Sequence, residues 1–497
     1  MTRSQSRREA SDRKGGEDVK DGYITVYLSL VTGILLSLIL TVVEGVRMHT
    51  IRTQTECVMD MAMDSALAEY HRELLEQYDL FFIDMSYGSA SPSFANVEEH
   101  IRNYMNMNFR PFEVFDIPVG KDLTALNAEE VALLKASAAS DDGGAVLKRQ
   151  AVDYIMHRWG LSYLNQAAVN AEVMERKGYL DSDVEQQRVE MEKEVKDRIL
   201  QKQQEEDEDW EGQNVELPSD IVNQARGEGI LGLASSRPGE LSRTSIPVQT
   251  LLSHRGKLLE GTGLPEGKTK PSGISGNCLF QKYIMEKCGF YGQEKEHAAF
   301  SYQVEYILEG KENDLDNLRA VANKILLIRE AANVAYLFGD SAKREQAKGT
   351  ALLISSILTQ PELTEPITAL ILFAWGYAES VQDLRILFDG EKVPLVKTSE
   401  SWNTPYSQLL TFRGHLSEYT KGQSGMSYQD YLGAFLFLQA EEEALNRLMD
   451  VIEADIRMTP GNENFRMDGC VDAITAQASV KSGYGRSFQI MRDYRYE

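Results

Sequence analysis

Glu379 and Asp383 lie one helical turn apart, the spacing that lets a general acid and a general base share one face of a helix. Arg385 and Arg329 offer ordinary ion-pair partners, so the expectation for the two carboxylates is a helix surface that does no chemistry. Asp84, Ser86 and Gly88 approach the DxSxS pattern, in which carboxylate and hydroxyl oxygens hold a hard cation, with Gly88 replacing the last serine. Asp84 and Ser86 are therefore a candidate cation site, and the alternative is a turn after an edge strand. Gly227, Gly229 and Gly232 spell GxGxxG, but a dinucleotide site needs a strand before that loop and a helix opening on it. The preceding SDIVNQAR reads as helix, and Pro238 stops any helix after it. Asp207, Asp209, Glu211 and Gly212 resemble the start of a calcium loop, whose position for a bidentate glutamate is occupied by Pro218.

The seven histidines form no HExxH and no i,i+4 pair, and neither GxSxG nor a Walker loop occurs. A non-enzymatic chain is expected, with no catalytic residue, no cofactor and no resident metal. The four cysteines, Cys57, Cys278, Cys288 and Cys470, contain no CxxC. Cys278 and Cys288 are the nearest pair in sequence, Cys57 is placed to bridge two copies, and spacing does not choose among the connectivities. A formal net charge of −24 argues against nucleic acid as a partner, and 42% hydrophobic residues provide for a packed body.

The elements begin with a membrane-length segment. Tyr23 to Val43 is 21 residues without a charge, matching the roughly 20 needed to cross a hydrocarbon core as helix. Six basic residues precede it (Arg3, Arg7, Arg8, Arg13, Lys14, Lys20), while only Arg47 and Arg52 occur in the next stretch. Counting Lys and Arg puts the tail, residues 1–22, in the cytoplasm and the body outside. No proline occurs before Pro92, so the helix is expected to continue as a stalk over 44–80, with Met48, Ile51, Val58, Met61, Leu74 and Tyr78 on a buried face. LFFID at 80–84 reads as a buried strand and 96–108 as a helix.

Residues 128–179 read as helical and 181–211 as an acidic helix, with Val184, Met191, Val195 and Ile199 in one narrow apolar stripe. Gly and Pro punctuate 211–275, expected to be a linker or insertion between a first extracytoplasmic region, 81–210, and a helical body, 276–497. In that body SYQVEYILE (301–309) alternates as a strand does, and Asn313 or Asp314 can cap a long helix. Ser427 with Asp430 forms a capping-box pattern, and 470–480, 481–486 and 487–496 read as strand, turn and returning strand. The expected fold class is α+β and helix-dominated: a transmembrane helix, a stalk, a helical body and a small antiparallel sheet with a C-terminal hairpin.

DGYITVYLSLV (Asp21–Val31), ALAEYHRELLEQYDLFFID (Ala66–Asp84), EYILEGK (Glu305–Lys311), LLIREAANVAYL (Leu326–Leu337) and WGYAESVQDLRILFDGEKVPLVKT (Trp375–Thr398) carry a family likeness. In these segments the chain resembles an uncharacterised bacterial family of membrane-anchored proteins encoded alongside tight-adherence (Tad) pilus systems, related in layout to their pseudopilins. The resemblance implies a minor component or assembly factor of such a pilus, located in the cell membrane. It implies as partners the lipid bilayer, pilus or secretion-platform proteins, and another copy through the stalk. A pseudopilin-like leader would end at Gly22 and the mature chain begin at Tyr23, although the fifth mature residue is Tyr27 where pseudopilins carry glutamate. The alternative function is a cell-surface adhesin or sensor that binds a cation or ligand through the Asp84 region or the acidic helix.

Overall fold

Residues Gln5–Leu67 form one uninterrupted helix, α1, in the computed structural model, which describes residues 5–89, 91–110, 113–114, 117–118, 124–159, 166–205, 217–227, 229–409, 419 and 424–496. After it come α2 (Arg72–Tyr78), the short strand β1 (Ile83–Asp84), α3 (Phe94–Phe109) and strand β2 (Leu126–Ala138). Helices α4 (Ala145–Trp159), α5 (Gln166–Arg176), α6 (Val184–Glu205), α7 (Pro218–Gly227), α8 (Ile230–Ala234) and α9 (Gly273–Lys287) follow. The rest is α10 (Gln303–Glu309), α11 (Asp314–Gly339), α12 (Ser341–Ile357), α13 (Thr364–Phe388), α14 (Tyr406–Leu409), α15 (Tyr428–Leu438) and α16 (Glu441–Arg457), then strands β3 (Cys470–Ser482) and β4 (Ser487–Arg495). The chain divides into two units: residues 1–69, 94–135 and 473–497, and residues 70–93 with 136–472.

In the first unit, α1 changes character along its length. From Tyr23 to Val46 its apolar side chains face outward, Leu30 and Leu40 each 60% exposed. Among the described residues this is the one helix long and apolar enough to cross a membrane, and it is compatible with a single-pass anchor. From Ile51 onward one face is buried: Ile51, Thr55, Val58, Met59, Ala62, Met63 and Ala66 recur at three and four and pack against α3 and β4. Helix α3 answers with Val97, Ile101, Met105 and Phe109. Strands β3 and β4 pair antiparallel, Ala473 opposite Arg495 through Lys481 opposite Ser487, and β2 lies beside β3. Ile474, Ala476, Ala478 and Val480 turn inward in the expected period of two.

Three sequence expectations about these elements fail. The stalk helix ends at Leu67 rather than running through residue 80; α2 is a separate helix, N-capped by His71, whose Nδ1 accepts from the Leu74 N–H at 3.2 Å. Met61 lies off the buried face and is 44% exposed. Residues from Ala128 to Ala138 are strand, not helix, despite their Ala, Glu, Leu and Lys content. Tertiary contacts override propensity here: Asn106 exchanges both backbone hydrogen bonds with Ala128, and Glu98 accepts from the Leu133 N–H at 2.8 Å. These α3 side chains occupy backbone groups that an edge strand would otherwise expose.

The second unit is helical around α11 and α13, with the acidic α6 laid on α13 through Val195, which is fully buried, and the half-buried Met191 and Ile199. Strand β1 pairs antiparallel with the start of β3, Asp84 opposite Cys470. The described part of 211–275 packs into this unit: Leu217, Val222, Leu231, Leu233, Val248 and Leu251 are all core residues. The C-terminal hairpin belongs to the unit of α1 instead of closing the helical body. The expected strand at 301–309 is helix α10, in which Gln303 to Leu308 are all buried. Burial on every side removes the contrast on which a period-two reading depends, and Gly310, left-handed at φ 66°, is a helix C-terminal stop.

Candidate functional site

Helices α11 and α13 pack tightly because Gly376 faces Val334, where a Cβ would lie 2.6 Å from Val334 Cγ2. That approach brings Arg329 and Asn333, one turn apart on α11, against Glu379, Ser380 and Asp383 on α13. Lys397 enters from the following loop. All six side chains are fully buried apart from a 2% trace at Lys397, so the expectation of surface carboxylates on a helix is overturned. Arg329, and not Arg385, takes the ion pair with Asp383.

Every charge in this network is matched. Lys397 Nζ donates to Glu379 Oε1 and Asp383 Oδ1, each at 2.6 Å, and to the Ser401 carbonyl at 3.0 Å. Arg329 Nε and Nη2 donate to Asp383 Oδ2 at 3.0 and 2.9 Å, and Nη1 donates to the carbonyls of Pro394 and Leu395. Asn333 Nδ2 donates to both Asp383 and Ser380. The second Glu379 oxygen accepts from the Thr404 N–H at 2.7 Å and the Asn403 N–H at 3.2 Å. Two cations and two anions thus cancel. Burial pushes the Asp383 carboxyl up, but the Lys397 ammonium and the Arg329 guanidinium outweigh it and hold it below the usual carboxylate range. For Glu379 burial prevails over Lys397 and leaves the carboxyl raised.

The network clamps the segment from Pro394 to Thr404 across the helix pair, through the contacts of Pro394, Leu395, Lys397, Asn403 and Thr404 with Arg329, Glu379 or Asp383. Trp375 and Trp402 add to the clamp by both donating to the Thr404 carbonyl at 2.8 Å. An acid and a base buried in mutual ion pairs are suited to holding a fold.

EYILEGK has a parallel role. Glu305 Oε1 accepts from the Tyr428 hydroxyl at 2.8 Å and the Tyr291 N–H at 3.0 Å, and Gly310 leaves room for the Arg447 guanidinium, whose Nη1 donates to the Ile307 and Leu308 carbonyls. Burial pushes the Glu305 carboxyl up to about 7 against those two hydrogen bonds. The folded chain therefore binds this proton more tightly than the unfolded chain, so the stability tied to Glu305 declines as pH rises from the ordinary glutamate range through about 7. Glu305→Gln keeps both acceptor contacts and should match the parent at about pH 4 while gaining up to roughly 3 kcal/mol at about pH 8. Chemical denaturation at the two pH values measures this.

The remaining candidates fall as follows. Asp84 Oδ1 accepts from the Ser86 N–H at 2.8 Å and Oδ2 from the Ser86 hydroxyl at 2.7 Å, so the aspartate closes its own turn after β1. Among the described residues no group of three or more His, Cys, Asp or Glu is placed to hold a metal. Gly227 ends α7, Gly232 lies within α8, and a helix rather than a strand precedes the GxGxxG run. The Asp207 to Gly212 stretch lies outside the described residues. Gly22 and Tyr23 are both inside α1, with Tyr23 74% exposed.

All four cysteines are free. Cys278 and Cys288 cannot pair, since ten residues of α9 separate them by about 15 Å, beyond the reach of a disulfide. Burial pushes the Cys288 thiol up to about 12 and raises that of Cys470 well above its ordinary value. A maleimide should label Cys57 alone in the native chain and all four thiols after denaturation; native labelling of Cys278, Cys288 or Cys470 would contradict this packing.

Lys397 and Asn333 were invisible as network members from sequence. The one signal was their position inside the two segments that carry the family likeness, Leu326–Leu337 and Trp375–Thr398. The model of a family of unknown function (DUF5702) matches residues 208–482, which include the whole network. No curated protein and no solved structure matches the chain. With more than half of its length matched, and with the buried network inside the match, the chain belongs to the DUF5702 family of unknown function.

Proposed function

We propose that the protein is a non-enzymatic, single-pass surface protein that serves as a minor pseudopilin-like component or an assembly factor of a Tad-type pilus. The observation that carries this reading is the change of character along α1. Its first part presents apolar side chains on all sides, and its second part buries one face against α3 and β4 of the same unit. A helix of this kind can rest in a bilayer through its first part and enter a helical bundle on assembly, while its second part carries a folded head. The excess of Lys and Arg before Tyr23 supports an N-terminus in the cytoplasm and the chain beyond Val43 outside it. In this reading the bond between Gly22 and Tyr23 is the candidate for leader cleavage, and pilus or secretion-platform proteins are the partners.

The adhesin alternative would place its cation at Asp84 and Ser86, which here hydrogen-bond each other. The test is affinity isolation of the tagged full chain from cross-linked bacteria. Recovery with sheared pili or with the platform is expected, and recovery with neither would sink the proposal.

A further inference from the structure

The charge-free part of α1 ends at Val43, and the first charges beyond it are Glu44 and Arg47. On an unbroken helix that change marks where the chain leaves hydrocarbon for the headgroup layer. The turn between β3 and β4 returns to the same level. Arg486 Nη2 lies 3.5 Å from Glu44 Oε1, and the Arg47 guanidinium sits over the Tyr484 ring, 4.3 Å from its centroid. Farther along β4 the contacts climb α1: Arg492 Nε bonds Asp60 Oδ1 at 2.6 Å, and the Tyr496 hydroxyl donates to the Leu67 carbonyl. Asp60 is about 24 Å beyond Glu44 along the helix axis, so β4 runs with its turn end toward the apolar segment.

The side chains at that end suit a headgroup layer. Tyr484 is 53% exposed, and the Arg486 side chain is 55% exposed. Tyrosine is favoured at membrane boundaries because its ring is apolar and its hydroxyl is wet, and guanidinium matches phosphate with paired N–H donors. Glu44 is shared between Arg47, at 3.0 Å, and Arg486, so two guanidiniums face one carboxylate and a unit of positive charge is left over. Lys481, the other cation of the turn, is held by Glu129 at 3.0 Å.

We propose that the β3–β4 turn is an interfacial anchor, in which Tyr484 and Arg486 with Arg47 dock on the phosphate headgroups of the leaflet from which α1 emerges. The anchor would fix the height and rotation of the first unit on its helix. It rests on the membrane-anchored reading of α1.

The test uses the full chain carrying Cys57→Ser, which removes the exposed thiol. A single new cysteine is placed at Ser487 or at Met491, labelled with an environment-sensitive fluorophore, and the protein is reconstituted in phosphatidylcholine and phosphatidylglycerol vesicles containing a headgroup nitroxide lipid. The label at 487 should be quenched several-fold more than the label at 491, and the combined Arg47→Gln, Arg486→Gln and Tyr484→Ser changes should remove most of that difference. Equal quenching at the two positions in protein that resists carbonate extraction would overturn the anchor and leave the membrane reading standing. A difference that survives the triple change would overturn the assignment to these side chains. Extraction of the protein by carbonate would overturn the membrane reading and the anchor with it.

Discussion

Lys397→Met should destabilise the second unit by about 3–5 kcal/mol, the usual result of leaving a buried charge without its partner. In a domain of this kind that is a fall in melting temperature on the order of 10 °C. The reason is specific to the geometry. Without the ammonium, Asp383 still has Arg329 and Asn333, but Glu379 keeps only backbone N–H donors and its negative charge is uncompensated. Because Glu379 already titrates high, the variant can relieve the strain by protonating it, so the defect should shrink as pH falls. Adding Glu379→Gln to Lys397→Met removes the second charge as well and should restore most of the loss, a coupling that a double-mutant cycle measures. A Lys397→Met chain as stable as the parent near neutral pH would mean that the clamp is not built as described.

The second large effect lies in α1. Met61→Pro should cost about 3 kcal/mol or more, because proline removes an i to i−4 hydrogen bond and its ring collides with the preceding turn. Met61→Ala should cost little, since Met61 is 44% exposed and the helix is kept. Val58→Asp tests the packing of α1 apart from its helicity. Val58 is 3% exposed, so a carboxylate there is buried without a partner and should loosen α1 from α3 and β4 without breaking the helix. Ser91→Pro, in an exposed bend outside any helix, should be nearly silent. Protease resistance of the detergent-solubilised chain reports all four. If Met61→Pro resists as well as Ser91→Pro does, the second half of α1 acts as a tether and the pseudopilin-like reading loses its support.

What could be read in advance followed locality. The apolar run of α1, the capping box at Ser427, and the C-terminal hairpin depend on neighbours within a few residues, and the structure has all three; Ser427 and Asp430 cap each other as the pattern implies. Helix α3 appeared within a residue or two of its expected ends. The failures depend on distant chain. Strand β2 is fixed by Asn106 and Glu98 of another element, which no window on its own sequence contains. The first unit joins three separated stretches, so a boundary sought along the chain, at 211–275, could not find it. The site shows the same limit. Glu379 and Asp383 stood out by spacing and Arg329 was named as a partner, but the balance of burial against Lys397 and Arg329 sets the sign of each pKa shift, and burial comes from the fit of α11 to α13. Lys397 reaches the pair from a loop after α13, with no periodic relation to either carboxylate.

The proposed role in a Tad-type pilus rests on a membrane-anchored helix carrying a folded head. Its most direct test is the number of pili per cell, counted by electron microscopy, in a strain lacking the gene and in the same strain complemented with the parent chain. The account predicts few or no pili without the gene and recovery on complementation. Parental piliation in the deletion strain would contradict it.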